Sequence, residues 1–317
     1  MAALRIVFMG TPELAAESLK ALLGTAAFEV AAVVTQPDQP RGRGLKLQPS
    51  PVKQLALERN LPLLQPQGTR NEQFLADLRS LQPGLIAVAA YGQILPGSVL
   101  ELPRHGCLNV HTSLLPKYRG AAPIQHALLN GDAETGVTIM RMDAGMDTGD
   151  ILAQEKTPIH AGDNSETLHD RLGRMGAELL VKTIPAYVAG SLLPRPQPAE
   201  GASHAPKITK QDGRIDWNQP AQTVHNRVRA MIPWPGAFTS LQAQPQSRVL
   251  KIWESEVAGS PGSPGEVISA AKDGIIVGCG SQALRILTLQ LEGGRRMAAR
   301  EFLAGHPLRP GMKLGQP

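Results

Sequence analysis

The chain has 317 residues, 42% of them hydrophobic and 19% charged, with a formal net charge of +5 from 32 Lys+Arg against 27 Asp+Glu. A chain of this length buries roughly 75% of its unfolded surface without staples, its composition excludes a disordered chain, and two cysteines (Cys107, Cys279) exclude both a disulfide framework and a Cys-rich zinc site. No apolar stretch approaches the ~18 residues of a membrane span, and the apolar run after Met1 is too short for a signal peptide, so a cytoplasmic protein with reduced thiols is expected.

Leu4–Met9 is a continuous apolar run, as in a strand buried on both faces. Pro12 opens a helix whose apolar side is Leu14, Leu19, Leu22 and Leu23, and Gly24 closes it. Glu29–Thr35 reads as a second strand. Ser50-Pro51 caps a helix reaching about Arg59. Thr69-x-x-Glu72 has the form of a capping box before a helix ending near Ser80. Leu85–Ala90, Cys107–His111 and Val137–Met142 are further short strands. Strands alternating with helices predict an α/β fold, a Rossmann-like doubly wound, mostly parallel sheet. In such sheets ligands bind beyond the carboxyl ends of the strands.

Asp163-x-x-Glu166 opens a long helix toward Ala189, which Pro185 should kink or end. Residues 190–206, with Pro194, Pro196, Pro198 and Pro206, read as a linker. Beyond it Arg248–Trp253, Glu266–Ala270, Gly274–Gly278 and Ala283–Leu291 alternate with Gly/Pro turns, the spacing of a small C-terminal β-barrel of the OB-like kind. The expected division is therefore a domain over 1–189, a linker over 190–206 and a second domain over 207–317. Charge follows this division. Residues 1–205 hold 18 Lys+Arg and 19 Asp+Glu, residues 206–317 hold 14 and 8, and all three tryptophans lie in the second part. A polyanionic partner and a merely solvated basic surface both fit that asymmetry.

Cys107-Leu-Asn109-Val-His111 carries the first chemical signal. Residues two apart on a strand share a face, so Asn109 and His111 point the same way near a strand's carboxyl end. Asp143-Ala-Gly145-Met-Asp147-Thr-Gly-Asp150 follows the next strand, and neighbouring strand ends would bring Asn, His and Asp into one crevice. An amide NH2 and an imidazolium both donate to a developing oxyanion, which suits acyl transfer to an amine. On spacing alone, a turn-closing Asn and a buried, hydrogen-bonded His are the commoner reading. His105 and His111 lack a third ligand at metal-binding spacing, so no metal is expected. Ser113 is outside a G-x-S-x-G elbow. Gly10-Thr-Pro is not a dinucleotide fingerprint. Gly176 to Thr183 misses a phosphate loop because Val181 stands where Gly is needed. Cys107 reads as a small core residue.

Asn109-Val-His-Thr-Ser-Leu-Leu-Pro-Lys-Tyr-Arg-Gly-Ala-Ala-Pro-Ile124 is similar to the signature stretch of the 10-formyltetrahydrofolate-dependent formyltransferases, and Asp143–Asp150 to their second motif. Over essentially the whole chain the sequence resembles the branch of that family acting on methionyl-tRNA. The resemblance implies a catalytic trio of Asn109, His111 and Asp147, with 10-formyltetrahydrofolate as co-substrate and initiator methionyl-tRNA as partner. It implies folate contacts at Ser113, Leu114, Leu115 and Pro116, at Tyr91, Gly92, Gln93, Ile94 and Leu95, and at Asp143 and Gly145. Gln93 departs from the residue the family pattern places there. The long loop after the second strand resembles the family's insertion toward the tRNA acceptor end, with Arg41, Arg43 and Lys46 as tRNA contacts. Lys207 and Lys210, at the start of the second domain, resemble its tRNA-facing lysines. A monomer is expected. The trio alone does not separate this activity from formyl transfer to glycinamide ribonucleotide or an amino-sugar nucleotide, from formylfolate hydrolysis, or from a non-catalytic RNA-binding role; the basic loop and basic second domain favour tRNA.

Overall fold

β1 (Leu4–Gly10) is buried through its last five residues, as befits a strand with neighbours on both edges and helices on its faces. The computed structural model describes residues 3–41, 46–241, 247–259 and 262–315. α1 (Glu13–Leu23) begins one residue after Pro12 and ends at Gly24. β2 (Phe28–Val34) leads into a short hairpin of β3 (Gln39–Arg41) and β4 (Lys46–Gln48) inside the stretch expected to be a plain loop. α2 (Pro51–Glu58) is capped by Ser50, whose Oγ accepts the Lys53 N–H at 3.1 Å. β5 (Leu63–Leu64) and α3 (Glu72–Ser80) follow. The expected Thr69 capping box does not form. Asn71 caps α3 by accepting the Phe74 N–H at 3.1 Å, while the Thr69 hydroxyl donates to the Ile94 carbonyl at 2.7 Å. Asn and Thr both cap well, and here the nearer residue wins because Thr69 has a tertiary partner.

β6 (Leu85–Ala89), α4 (Gly97–Leu100), β7 (Cys107–His111), α5 (Pro123–Leu129), β8 (Glu134–Arg141), β9 (Ile151–Pro158) and α6 (Ser165–Val188) complete this part. The seven-stranded sheet has the order β5-β2-β1-β6-β7-β8-β9. β5, β2, β1, β6 and β7 pair in parallel, and β8 pairs antiparallel with both β7 and β9, so β8 alone runs against the rest. The chain leaves β1 toward one edge and returns through β6 toward the other, so the switch point lies beside β1 and β6. α6 is capped by Asn164, which accepts the N–H groups of Glu166 and Thr167, and it runs through Pro185 to Val188.

The chain divides into two compact units. The first takes Met1–Pro123, Glu134–Pro158 and His169–Pro206, and the second takes Ile124–Ala133, Ile159–Leu168 and Lys207–Pro317. The stretch read as a linker, 190–206, is hydrogen-bonded to the first unit: Arg195 exchanges both backbone bonds with Ile151, and Ala205 N–H donates to the Arg119 carbonyl.

In the second unit α7 (Ala221–Ala230) precedes β10 (Ala237–Leu241), β11 (Arg248–Ala258), β12 (Val267–Ala271), β13 (Gly274–Gly278), β14 (Ala283–Leu291), β15 (Met297–Ala298) and α8 (Ala299–Gly305). The strands form an antiparallel sheet, β10-β11-β14-β13-β12, with β15 on β14. Lys313 pairs with Glu266 and Leu314 with Leu241, which bridges the two edges in the manner of a barrel. α7, β10 and α8 had no counterpart in the sequence reading. α7 is polar overall, with its apolar side reduced to Ala221, Val224, Val228 and Ala230, too sparse a stripe to show as a helical period.

Candidate active site

Asn109 and His111 share one face of β7, and Leu108 and Val110 the other. α6 covers the second face so closely that a Cβ on Gly176 would stand 2.5 Å from Val110 Cγ1. The first face opens on a cavity of about 380 Å³ at the carboxyl ends of β6 and β7. His111 is buried. Its Nε2 lies 2.9 Å from the Tyr118 carbonyl, and a carbonyl only accepts, so Nε2 carries a proton. Nδ1 is 3.7 Å from Asp147 Oδ2. That separation is an ion-pair contact longer than a hydrogen bond, so Nδ1 is the ring nitrogen left to a ligand. The Asn109 carboxamide makes no hydrogen bond among the described residues and lines the same cavity.

Asp147 does not reach His111 through neighbouring carboxyl ends, as the parallel-sheet expectation had it. β8 is antiparallel, and its register sets Arg141 beside Leu108 and Thr138 beside His111. The segment after β8 therefore starts near the beginning of β7 and folds back along it. Inside that loop the Asp143 carboxylate accepts the Gly145 N–H at 3.0 Å and the Thr148 hydroxyl at 2.8 Å. Gly149 passes so near Arg141 that a Cβ would lie 1.8 Å from its carbonyl oxygen. Asp147 itself has a φ of 53°, in the left-handed region, and its Oδ2 accepts the Gly120 N–H at 2.9 Å.

Of the folate contacts implied by resemblance, Tyr91, Gly92, Gln93, Ile94, Leu95, Asp143 and Gly145 line this cavity. Ser113, Leu114, Leu115 and Pro116 do not: the Ser113 hydroxyl is buried and donates to the Lys117 carbonyl at 2.6 Å. The Asp143 carboxylate is spent inside its own loop. Ile94, 74% exposed, and Met146, 54% exposed, stand as apolar groups at the mouth. Tyr91 is buried, its hydroxyl has no partner among the described residues, and burial pushes that phenol up to about 12.

Sequence reasoning missed Thr138, Gln154 and Gly120. Thr138 Oγ1 donates to the Ser113 carbonyl at 2.6 Å and accepts the Leu115 N–H and the Gln154 amide, while Gln154 also donates to the Leu115 carbonyl. A polar residue within the apolar run of β8 was the available signal for Thr138. Neither thiol belongs to the cavity lining, and burial pushes Cys107 up to about 12 and Cys279 to about 11. Among the described residues no group of three His, Cys, Asp or Glu is placed to hold a metal, and no helix is long and apolar enough to cross a membrane.

The basic loop lies only partly within the described residues. Arg43 and the side chains of Arg41 and Lys46 lie outside the described residues. The next cation along the chain, Lys53, sits on α2 and pairs with Asp38 at 2.7 Å, which holds that carboxyl below its usual range with help from Gln65. In the second unit Lys207 and Lys210 are exposed, with no ion-pair partner among the described residues.

Comparison with known proteins adds the family. The profile described as "Formyl transferase" matches residues 4–184, and "Formyl transferase, C-terminal domain" matches 207–307. The methionyl-tRNA formyltransferase of Geobacter metallireducens is 50% identical over 315 residues, 99% of this chain and 100% of that protein. That of Aromatoleum aromaticum is 51% identical over 313 residues, 99% and 98% of the two chains. Among solved structures, a sugar 3N-formyltransferase crystallised in the presence of dTDP and 5-N-formyl-THF superposes with a TM-score of 0.65 at 21% identity, covering 90% of this chain and 97% of its own. HypX from Aquifex aeolicus with tetrahydrofolic acid superposes at 0.62 and 19% identity, covering 100% of this chain and 51% of its own. At such identities these two show a shared fold.

Proposed function

The chain belongs to the methionyl-tRNA formyltransferase family and is an enzyme of formyl transfer from a formyl-folate, and we propose that Asn109, His111 and Asp147 carry that transfer, from 10-formyltetrahydrofolate to the amino group of initiator methionyl-tRNA. The observation that supports this most is the convergence of an unpaired carboxamide, a free imidazole nitrogen and a carboxylate on one cavity. The open apolar mouth at Ile94 and Met146 suits a flat aromatic co-substrate, with the backbone of 91–95 available to a pterin edge.

The α-amino nitrogen attacks as the free base, and an α-amino pKa of about 8 leaves part of it neutral near pH 7. Attack on the formyl carbon places negative charge on the formyl oxygen. The Asn109 NH2 and a proton on His111 Nδ1 donate to that oxygen, where preorganised donors act most strongly. Asp147 neutralises the charged ring and accepts the proton that the amine loses. Collapse breaks the carbon–N10 bond, and the proton passes to N10, giving the formamide and tetrahydrofolate. No covalent enzyme intermediate is required. Lys207, Lys210 and the basic residues Arg41, Arg43 and Lys46 supply phosphate contacts.

Incubating the protein with 10-formyltetrahydrofolate and charged methionyl-tRNA, initiator or elongator, tests the reading. Formylation confined to the initiator form supports it. Formylation of an amino-sugar nucleotide instead, or folate deformylation without an acceptor, overturns it.

A further inference from the structure

The loop bearing Asp147 is tied to a residue of the proline-rich stretch. Gln197 Nε2 donates to the Asp147 carbonyl at 2.8 Å and to the Gly149 carbonyl at 2.7 Å. Its Oε1 accepts from Arg119 Nε at 3.0 Å and Nη2 at 2.8 Å. A guanidinium only donates and a backbone carbonyl only accepts, so this arrangement fixes which way the amide points. It also fixes the residue type. A carboxylate at this place would hold Arg119 but repel two carbonyl oxygens. An amine would serve the carbonyls and repel the guanidinium.

Arg119 is held in turn. Its N–H donates to the Ser203 carbonyl at 2.9 Å, and its carbonyl accepts the Ala205 N–H at 2.7 Å. The Tyr118 N–H donates to Ser203 Oγ at 3.0 Å, and the Tyr118 carbonyl is the acceptor for His111 Nε2. The Gly120 N–H donates to the Asp147 carboxylate. A closed circuit thus runs from Asp147 through Gly120, Arg119 and Gln197 back to Asp147, with His111 attached beside it. Asp147 sits in the left-handed backbone region, which Asp and Asn tolerate better than other residues with a Cβ, and the circuit holds it there.

We propose that Gln197 is a positioning residue for the transfer: by clamping the Asp147 and Gly149 carbonyls against Arg119, it holds the Asp147 carboxylate opposite His111. This rests on the catalytic reading of Asp147. On this account 197–205 is part of the active-site framework.

The test uses the full chain and four variants: Gln197→Ala, Gln197→Glu, Asp147→Asn and Asp147→Asn with Gln197→Ala. Asn tolerates the left-handed backbone, so Asp147→Asn removes charge with little strain. Both Gln197 variants are expected to lose at least tenfold in kcat, as small misplacements of catalytic groups do, while KM for formylfolate and for methionyl-tRNA stays within threefold and Tm stays near that of the parent. The double variant is expected to turn over no more slowly than Asp147→Asn alone, because residues acting through one group are not additive. Full activity in both Gln197 variants beside a slow Asp147→Asn overturns the positioning role alone. A multiplicative loss in the double variant overturns it as well. Normal turnover of Asp147→Asn overturns the catalytic reading and this inference with it.

Discussion

His111 Nδ1 stands 3.7 Å from Asp147 Oδ2, and each partner is fixed by something other than the pair itself: His111 by the Tyr118 carbonyl, Asp147 by the Gly120 N–H. The two groups are held near each other without being joined by a hydrogen bond, which leaves His111 Nδ1 unspent toward a substrate. Asn109, one face-position earlier on β7, has its carboxamide unspent. A donor with no competing partner among the described residues is available to a substrate without breaking an internal hydrogen bond.

Asn109→Ala should therefore lower kcat by about 10²- to 10³-fold, the usual consequence of losing one oxyanion donor. The affinity for formylfolate should change little, since the donor's gain comes in the transition state. Single-turnover formylation measured beside equilibrium folate binding checks this. A variant that binds folate weakly yet transfers at the normal rate would place Asn109 in substrate binding only.

The return of the Asp147 loop along β7 depends on one close approach. A Cβ on Gly149 would meet the Arg141 carbonyl at 1.8 Å, and both groups are backbone. Gly149→Ala should cost about 1–3 kcal/mol, the range of overpacked sites, and should reduce kcat more than it raises either KM. Chemical denaturation and steady-state kinetics read the two effects. An unperturbed kcat in a folded Gly149→Ala would show that the loop tolerates displacement.

These particulars show where the sequence was legible. β1, β6 and β7 announce themselves as short apolar runs because both faces are covered, and Asn109 and His111 follow from the two-residue period of a strand. The reversal at β8 is not written locally: Val137–Met142 looks the same whichever way it runs, and the direction is set by pairing. Thr69 and Asn71 show the same limit on a smaller scale, since both are good caps and only the Ile94 carbonyl decides between them. Gln197 was invisible for a related reason. Its stretch has the composition of a linker, and its meaning comes entirely from the Arg119 guanidinium and two carbonyls that folding brings to it.

Burial depresses His225 from its ordinary 6.5 to about 4, with the Arg229 charge adding to the effect, while its Nδ1 lies 3.1 Å from Ser255 Oγ. The folded second unit thus holds this ring neutral, whereas the unfolded chain protonates it near 6.5. Its contribution to stability is fully present above about 6.5 and is lost as pH falls toward about 4. Tm followed by calorimetry from pH 7.5 to 4.5 should decline, and His225→Gln should flatten the decline. Parallel pH profiles for the two proteins would remove His225 as the cause.

Cys107 lies in the core at 1% exposure, with its thiol pushed up to about 12 by burial. A thiol in that state is almost wholly protonated at neutral pH and is a poor nucleophile. Iodoacetamide at pH 7.5 should leave turnover intact and Cys107 unmodified by mass spectrometry. Rapid labelling with loss of activity would contradict both its burial and the absence of thiol chemistry from the mechanism.

The two basic regions should separate by kinetics and by salt. Lys207 and Lys210 are exposed cations with no acidic partner among the described residues, so the double variant Lys207→Ala, Lys210→Ala should weaken methionyl-tRNA binding. It should also reduce the slope of log affinity against log salt by about 1 to 2, since each lost phosphate contact removes a little under one. Arg43→Ala acts, by resemblance, at the acceptor end beside the reacting amine. It should raise KM for methionyl-tRNA with the folate dissociation constant unchanged. Lys53→Ala, on α2 just beyond the loop, serves as the comparison: its ammonium is already paired with Asp38, so tRNA affinity should barely move. An equal loss for Lys53→Ala and Arg43→Ala would mean that the loop acts through bulk charge, and its placement would then carry no specificity.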